Sequence, residues 1–314
     1  MIKIKNLSKT FSSGFIKKEY VKAVDNATFE IEDGKIVSLI GESGSGKTTI
    51  GKLILKLVKP TEGEILYKDR NIYDYNPIEY YRNVQGVFQD PFASFNPIYK
   101  IDNIFDMLFN SLYNEIPKSE RLGRIEKSLK DVGLNPKHII GKYPHQLSGG
   151  QLQRLLIARA LILESKFLVA DEIISMLDAS TRVDVLNILG DLKYKNKMSI
   201  LFITHDLSLG YYISDWMLIM YRGTIVEMGD TKEIFSNPLH PYTQMLFDSV
   251  PTLDKKWDDS ETSTETGEEP PKTGCKFAHR CPFATDKCKT YNMESYTVNK
   301  NHQVSCIKFA NKNN

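Results

Sequence analysis

A glycine-rich segment at residues 41–49 constrains the fold of this 314-residue chain more than any other feature. Its sequence is Gly-Glu-Ser-Gly-Ser-Gly-Lys-Thr-Thr. An apolar, β-branched run at residues 36–40 precedes it and predicts a buried strand, and apolar residues at helical spacing follow at residues 49–55. This order is typical of a phosphate-binding loop, because the loop N–H groups and the helix N-terminus face an anion. We therefore expect an α/β fold that binds a nucleoside triphosphate.

The residue types in this loop suit a triphosphate with its magnesium ion. Lys47 is expected to bridge the β- and γ-phosphates, and the Thr48 hydroxyl is expected to bind Mg²⁺. The alternative is a glycine-rich turn that happens to precede a helix, and the register of strand, loop, Lys-Thr pair and helix argues against it. The predicted nucleotide-binding residues of the loop are Gly41, Glu42, Ser43, Gly44, Ser45, Gly46, Lys47, Thr48 and Thr49.

Two further apolar runs end in side chains that could act on the same phosphates. Residues 167–170 lead into Asp171 and Glu172, and residues 199–203 lead to His205. In open α/β sheets the chemistry gathers at the carboxyl ends of the strands. We predict that Asp171 holds Mg²⁺, that Glu172 is the general base for the attacking water, and that His205 contacts the γ-phosphate. Each residue alone would be read as a solvated loop or a structural histidine, and their convergence favours catalysis.

A second glycine-rich segment follows at residues 147–154 and comprises Leu147, Ser148, Gly149, Gly150 and Gln151, then Leu-Gln-Arg. Together with the phosphate loop it resembles the signature of ABC-type ATPases, in which the Ser-Gly-Gly backbone of one subunit closes over nucleotide held by another. The resemblance implies an ATPase that works as a dimer with two ATP molecules at the interface. The implied fold is a P-loop ABC-type nucleotide-binding domain with a strand-rich edge and a helical subdomain.

Three other segments resemble the ATPase subunits of ABC importers of the oligopeptide/dipeptide group, and the likeness covers essentially the whole chain. They are residues 87–97, residues 143–146 and residues 237–243, the last reading Asn-Pro-Leu-His-Pro-Tyr-Thr. In this family the residue that matches Gln89 reaches Mg²⁺ and the attacking water, and the loop after it faces the membrane subunits. The alternative for Gln89 is an amide that caps its own loop. Details of the signature resemble the F-type member of a pair of different ATPase subunits.

The resemblance also implies partners and a location. The partners are a second ATPase subunit of the D type, two transmembrane permease subunits and, indirectly, an extracellular substrate-binding protein. The chain would then lie at the cytoplasmic face of the cell membrane, attached through the permease subunits. Peptides are the usual cargo of the group, and oligosaccharides remain open. The alternative is a regulatory or repair ATPase without membrane partners, and the segments at residues 87–97 and 237–243 favour the importer.

Two positions depart from the family pattern or leave it ambiguous. Residues 173–175 are Ile-Ile-Ser where most ABC-type ATPases have Pro-Thr-Ser, but F-type subunits vary here and the preceding Glu is present, so we expect activity to be retained. Residues 175–180 still resemble the loop that crosses the dimer interface through Asp178. Phe11 stands where the family places the aromatic residue that stacks on adenine, with Phe15 and Tyr20 as alternatives.

Composition limits the remaining function classes. The formal net charge is +2, which gives no basic field for nucleic acid, and we expect no nucleic-acid partner. No apolar run approaches the length that spans a bilayer, and the N-terminus does not read as a signal peptide, so we expect a soluble, cytosolic chain.

The predicted organisation has four parts. Residues 1–235 form the ATPase domain, with its helical subdomain at about 91–158, and residues 236–253 form a family C-terminal segment. Residues 254–274 are acidic and rich in Ser, Thr and Pro, which predicts a mobile linker. Residues 275–314 form a small extension, too short to bury a core by itself and separated by the linker from the nucleotide site.

All cysteines lie in this extension, at Cys275, Cys281, Cys288 and Cys306. In a reducing cytosol clustered cysteines bind metal more often than they form disulfides. Their spacing matches neither the usual zinc pattern nor the common ferredoxin runs. The segment at residues 275–282 resembles the C-terminal region of the importer group, where some members hold a [4Fe–4S] cluster. The resemblance thus implies such a cluster, with Zn²⁺ or four unliganded thiols as the alternatives.

Overall fold

A computed structural model describes residues 1–14, 19–249, 271, 273–290 and 294–310. Phe15 and most of the predicted acidic linker lie outside these residues. The strands of the described part are β1 (Ile2–Ser13), β2 (Glu19–Ile31), β3 (Ile36–Ile40), β4 (Glu62–Tyr67), β5 (Arg70–Asn71), β6 (Val84–Val87), β7 (Phe167–Asp171), β8 (Ser199–Thr204), β9 (Trp216–Tyr221), β10 (Thr224–Asp230), β11 (Tyr296–Asn299) and β12 (His302–Val304).

The strands form two sheets. The main sheet has the order β11-β12-β10-β9-β3-β8-β7-β6, and its strands from β9 to β6 are parallel. The smaller sheet is antiparallel, with the order β2-β1-β4-β5, and forms the strand-rich edge. Every residue of β3, β7 and β8 is buried, as expected for central parallel strands that are covered on both faces.

Ten helices are present in the described residues. They are α1 (Lys47–Ile54), α2 (Pro77–Asn83), α3 (Ile101–Leu112), α4 (Lys118–Asp131), α5 (Gly149–Ile162), α6 (Ala179–Asn196), α7 (Leu207–Ile213), α8 (Thr231–Ser236), α9 (Pro241–Asp248) and α10 (Asp286–Thr290). Helices α3 and α4 and the start of α5 lie in the segment for which the sequence predicts a helical subdomain. None of the ten is long and apolar enough to cross a membrane.

Alternation along the central strands divides the interior into two cores. Val37 and Leu39 of β3 face the core that contains α1 and the smaller sheet. Leu168 and Ala170 of β7 face the opposite core, which contains the apolar residues of α3, α5 and α6. Because successive side chains of a strand point to opposite faces, a continuous apolar run fills both cores.

The C-terminal extension does not stand apart from the rest of the fold. Strands β12 and β11 continue the main sheet beyond β10, with Met228 opposite Gln303. Phe277 is buried in a third core together with Tyr221 and Tyr242. The extension therefore completes its core with residues of the larger domain. The linker separates the extension from the predicted phosphate-binding loop in sequence, but Arg280 of the extension donates to Glu42 of that loop, so the two are in contact in the fold.

Candidate functional site

The phosphate-binding loop has the backbone that its glycines predict. Gly46 has a φ of 105°, and a Cβ atom there would lie 2.1 Å from the Ala23 carbonyl oxygen. A Cβ atom at Gly41 would lie 2.0 Å from the Met220 carbonyl oxygen, so neither position has room for a side chain. Helix α1 begins at Lys47 without a side-chain cap. Its first N–H groups are therefore available to an anion.

Lys47 is the buried cation of this loop. Its side chain is 4% exposed and donates to the carbonyl oxygens of Gly41 at 2.7 Å and Glu42 at 2.9 Å. Burial lowers the pKa of the Lys47 ammonium, while the nearby carboxylates of Glu172 and Asp171 oppose this shift. An ammonium that is buried and held over the loop is placed to bind a polyphosphate.

Asp171, at the end of β7, lies against the start of α1. The Thr48 hydroxyl donates to Asp171 Oδ1 at 3.2 Å. Burial raises the pKa of the Asp171 carboxyl, and the hydrogen bond from Thr48 acts in the opposite direction. A carboxylate and a hydroxyl beside an anion site are the oxygen ligands that Mg²⁺ prefers.

Glu172 and His205 are brought together because β7 and β8 are neighbours. Asp171 pairs with Ile203, and the Glu172 N–H donates to the Ile203 carbonyl oxygen at 2.9 Å. Glu172 Oε1 lies 3.4 Å from His205 Nδ1. The Glu172 side chain is 22% exposed and that of His205 is 61% exposed. The pair is thus open to a water molecule, and Glu172 lies close enough to act electrostatically on Lys47.

Gln89 lies at the same edge of the sheet through the strand order. Val87, the last residue of β6, pairs with Ala170, so Gln89 follows β6 at the level where Glu172 follows β7. Its side chain is exposed, and no hydrogen bond joins it to the other predicted site residues in the part of the chain that the structure describes. The alternative role, capping its own loop, finds no hydrogen bond among these residues either; Asp90 accepts the loop N–H groups of Phe92 and Ala93.

The unusual residues after Glu172 are buried and pack in the core. Ile173 and Ile174 are 1% and 2% exposed and belong to the core that contains α5 and α6. Ser175 Oγ donates back to the Glu172 carbonyl oxygen at 2.9 Å. Burial of both isoleucines therefore anchors the turn that carries the carboxylate, although proline and threonine are absent.

The signature segment forms the capped N-terminus of α5. Ser148 Oγ accepts from the Gln151 N–H at 3.2 Å, and Gln151 Oε1 accepts from the Ser148 N–H at 3.0 Å, which is a capping box. Leu147 is buried, whereas Gly149 and Gly150 are partly exposed. Within the described ranges no hydrogen bond or ion pair connects this segment to the phosphate-binding loop of the same chain.

Asp178 caps the neighbouring helix α6. Its carboxylate accepts from the Ser180 hydroxyl at 2.6 Å and from the Thr181 N–H at 3.0 Å, and these hydrogen bonds hold the pKa of Asp178 well below its usual range. A Cβ atom on Gly150 would lie 2.8 Å from Thr181 Cγ2, so the starts of α5 and α6 are in contact. Asp178 and the signature thus lie next to each other.

The aromatic candidates for adenine stacking lie on the strand-rich edge. Phe11 is 41% exposed, and Lys9 Nζ lies 5.0 Å from its ring centroid. Tyr20 is 67% exposed. Phe11 is therefore partly exposed, with the Lys9 ammonium over its ring.

The four cysteines line a single small cavity, together with His240 and Lys308. Burial raises the pKa of Cys275 to about 11 and also raises the pKa of the Cys281 and Cys306 thiols. His240 is 1% exposed; its Nδ1 accepts from the Tyr242 N–H at 3.0 Å, and its Nε2 finds no partner among the described residues. No three His, Cys, Asp or Glu side chains are placed to hold a metal ion in the described part of the chain.

Sequence reasoning missed two residues that contact the phosphate-binding loop. Tyr242 Oη accepts from the Glu42 N–H at 2.9 Å, and Arg280 donates to the Glu42 carboxylate at 3.0 and 3.1 Å. Tyr242 lies in the segment at residues 237–243 that marks the importer group, so a signal for it was present. No local pattern identifies Arg280.

The fold and the site define a class of protein: an α/β P-loop enzyme with its phosphate loop, two carboxylates and a histidine at one edge of a parallel sheet. A family model described as "ABC transporter" matches residues 24–175, and one described as "Oligopeptide/dipeptide transporter, C-terminal region" matches residues 226–288. The chain belongs to the ATP-binding subunits of oligopeptide/dipeptide ABC transporters, and it is an ABC transporter ATPase.

Individual relatives agree with this assignment along the whole chain. The oligopeptide transport ATP-binding protein AppF of Bacillus subtilis (strain 168) is 39% identical over 99% of this chain and 98% of its own length. The dipeptide transport ATP-binding protein DppF of Haemophilus influenzae is 40% identical over 91% of this chain and 89% of its own. The resemblance to the F-type subunits is thus confirmed.

Solved structures share the ATPase part of the fold. A dimeric post-hydrolysis state of the ATP-binding cassette MJ0796, bound to ADP and Pi, superposes with a TM-score of 0.65 and 29% identity, covering 74% of this chain and 99% of that one. The cbiO1 protein of Clostridium perfringens, part of the ABC transporter complex cbiONQ, has a TM-score of 0.65 and 26% identity, covering 75% of this chain and 90% of that one.

Proposed function

We propose that this chain powers the import of oligopeptides or dipeptides by hydrolysing ATP as one of two ATPase subunits in an ABC importer. The observation that carries the proposal is the convergence of Lys47, the Thr48–Asp171 pair and the Glu172–His205 pair at one sheet edge. The match of residues 226–288 to the oligopeptide/dipeptide C-terminal region supports the cargo class. Oligosaccharides are the alternative cargo.

The proposed chemistry is attack of water on the γ-phosphate. The loop N–H groups and Lys47 bind the phosphates, and Phe11 stacks on the adenine ring. Glu172 accepts the proton of the attacking water, while His205 contacts the γ-phosphate. The oxygen between the β- and γ-phosphorus atoms leaves with ADP. When bound, Mg²⁺ would neutralise phosphate charge.

Thr48 and Asp171 fit a magnesium site because their oxygens already lie side by side. Gln89 is proposed as a further ligand from its level at the sheet edge. The raised pKa of the Asp171 carboxyl fits a site that gains a cation, since a divalent ion would favour the charged form.

The signature is proposed to act on the nucleotide of the other subunit. Its residues, Leu147 to Gln151, lie at a helix N-terminus that is separate from the phosphate loop of this chain, and the dipole at a helix N-terminus favours an anion. Asp178, in contact with the same region, is proposed to lie at the dimer interface. A dimeric cassette among the similar structures supports this arrangement.

The partner subunit is proposed to be a different, D-type ATPase, and the two subunits dock on two transmembrane permeases. An extracellular binding protein would deliver the cargo, and no nucleic acid is involved. The chain would lie at the cytoplasmic face of the membrane. Four exposed apolar side chains support a docking surface in the segment after Gln89 and on α3, namely Phe92, Ile98, Tyr99 and Met107.

We also propose a [4Fe–4S] cluster at the four cysteines. All four line one cavity, and thiolates are the ligands that iron–sulfur clusters select. A zinc ion needs every thiolate about 2.3 Å from one centre. In a cluster each thiolate binds a different iron, so the four thiolates need not meet at one centre. Because burial raises the pKa of Cys275 and Cys306, a metal would displace protons from both.

Anaerobic purification followed by iron, sulfide and zinc analysis tests the cluster. About four irons and four sulfides per chain are expected, with a brown colour. If the analysis finds one zinc per chain and no sulfide, the site is a zinc site and not a cluster. If it finds no metal, the four cysteines form a thiol-lined core. A Cys288→Ser variant should lose iron, whereas Ser249→Ala, outside the cavity, should not.

The transport proposal is tested with the subunits reconstituted in vesicles. The rate of ATP hydrolysis should rise, and labelled peptide should accumulate across the vesicle membrane, only when ATP is supplied on the side where the ATPase subunits lie. Oligosaccharide uptake with no peptide uptake would change the cargo. Failure of the chain to co-purify with any hydrophobic subunit would favour the regulatory or repair ATPase.

A further inference from the structure

The C-terminal extension and helix α9 together hold one residue of the phosphate-binding loop, the extension by its side chain and α9 by its backbone. Arg280, between Cys275 and Cys281, donates from Nη1 to both carboxylate oxygens of Glu42, at 3.0 and 3.1 Å. Tyr242 Oη accepts the Glu42 N–H at 2.9 Å. These contacts join residues 238 and 200 positions apart, so they form only when the extension and α9 both lie against the loop.

Glu42 places a negative charge on a loop that must bind a polyphosphate. Its carbonyl oxygen accepts from Lys47, and its carboxylate acts electrostatically on the same ammonium. Like charges at short range repel more strongly where water is partly excluded. Without a compensating cation, the Glu42 carboxylate would therefore oppose nucleotide binding.

Arg280 is held in place by its own surroundings. Its Nη2 lies 3.5 Å from Met245 Sδ, and its guanidinium lies 5.7 Å from the Phe277 ring centroid. The side chain is 22% exposed, compared with 39% for Glu42. A guanidinium fixed in this way loses less freedom in an ion pair than a free surface arginine does.

A second set of contacts fixes the same region of the extension. Lys276 donates to the Arg222 carbonyl oxygen at 2.9 Å and pairs with Asp25 at 2.7 Å. The next residue of that turn, Gly223, donates its N–H to the Ser45 carbonyl oxygen of the phosphate-binding loop at 2.7 Å. The extension thus reaches the loop by two independent routes.

We propose that Arg280 is a positioning residue of the nucleotide site, which neutralises the Glu42 carboxylate and holds it so that the loop can accept the phosphates. The proposal requires only that the loop binds nucleotide. It is independent of which metal, if any, the cysteines bind, and it gives the extension a role in nucleotide binding.

Calorimetric titration of the full-length chain with Mg-ADP and with Mg-ATP tests the proposal. Arg280→Ala should raise the Kd for both nucleotides about three- to fivefold, the range of a partly exposed ion pair. Arg280→Lys, which keeps the charge, should recover most of the affinity. Arg124→Ala is the matched control, because Arg124 pairs with Glu120 and Glu164 on the helical side of the protein, away from the loop. If Arg280→Ala loses no more nucleotide affinity than this control variant does, the proposal is overturned.

The double variant Arg280→Ala/Glu42→Gln separates charge compensation from a structural role. Once the carboxylate is removed, the double variant should regain most of the nucleotide affinity that Arg280→Ala loses. The Glu42→Gln single variant completes this double-mutant cycle. If the double variant binds as weakly as Arg280→Ala, the arginine only supports the fold and the proposal is wrong. In the assembled transporter the change should appear in KM for ATP, with kcat retained.

Thermal unfolding and metal analysis of each variant show whether the extension is intact. If Arg280→Ala does not fold, Arg280→Gln carries the same test, since it keeps a hydrogen-bonding side chain and removes only the charge. The same two outcomes then apply: weaker binding that Glu42→Gln reverses supports the proposal, and unchanged binding overturns it.

Discussion

At the scale of single residues, burial and opposite charge act together in the site. Lys47 and Asp171 are each 4% exposed, and each is shifted towards its neutral form by desolvation. A bound nucleotide with its metal would supply charge of both signs and reverse both shifts. Glu172 differs from them because its side chain remains partly open to solvent, which its proposed role as acceptor of a proton from water requires.

We predict that Glu172→Gln retains nucleotide binding and slows hydrolysis by roughly 10²-fold or more, as for the loss of a positioned general base. The amide has the shape of the carboxylate but cannot accept the proton. Mg-ATP affinity of the chain and turnover of the assembled transporter are the two measurements.

Glu115→Gln is the control for this prediction, because Glu115 forms a surface ion pair with Arg82. It should leave both quantities unchanged. Turnover of Glu172→Gln at a rate close to that of the unmodified protein would remove Glu172 from the role of base.

At the scale of secondary structure elements, the parallel strands could be predicted and the C-terminal strands could not. The runs at residues 36–40 and 167–170 are continuously apolar, which is the pattern of strands buried on both faces. The runs at residues 217–220 and 224–227, on either side of a turn at 221–223, also predict a hairpin, and it corresponds to β9 and β10. Strands β11 and β12 are four and three residues long, and their pairing with β10 depends on contacts between distant parts of the chain. No local pattern encodes such a pairing.

Glu227 links three of these distant parts. It is 1% exposed, and its carboxylate accepts from the N–H groups of Leu239 and His240 at 2.8 Å each and is hydrogen-bonded to His302 Nε2 at 2.7 Å. Strand β10, strand β12 and the segment before α9 therefore meet at one buried carboxylate.

We predict that Glu227→Ala lowers the free energy of unfolding by about 2–4 kcal/mol, because it leaves buried donors without a partner. Urea unfolding at constant pH measures this change in the free energy of unfolding. Glu64→Ala is the control, since Glu64 is a strand carboxylate that pairs with Lys5 at the surface; it should cost less than about 1 kcal/mol. Equal effects of the two substitutions would mean that the three parts do not depend on Glu227.

At the scale of the whole molecule, the described chain contains two segments that are proposed to bind nucleotide, and no hydrogen bond or ion pair joins them among the described residues. The phosphate-binding loop precedes α1, and the signature begins α5. The sequence predicted both segments because each is a short local motif. The segment at residues 237–243 gave a signal for Tyr242, but no local pattern predicts that Arg280 contacts the loop, since that contact arises from the path of the C-terminal extension.

The central claim is that the signature of this chain completes the nucleotide site of its partner. Gly149→Asp tests it most directly, because a Cβ atom at Gly149 would lie 3.8 Å from the Phe92 ring, an ordinary contact, and the added charge would face the anion. Lys47→Ala is the comparison, since it removes the cation of the loop in the same chain.

The decisive measurement is the Mg-ATP affinity of the isolated chain together with hydrolysis by the assembled transporter. We predict that Gly149→Asp leaves the affinity of the isolated chain within about twofold and reduces hydrolysis by roughly 10²-fold, as expected when transition-state charge stabilisation is lost. Lys47→Ala should weaken nucleotide binding in the isolated chain itself. If Gly149→Asp weakens binding in the isolated chain as much as Lys47→Ala does, the signature acts within its own chain and the account is contradicted.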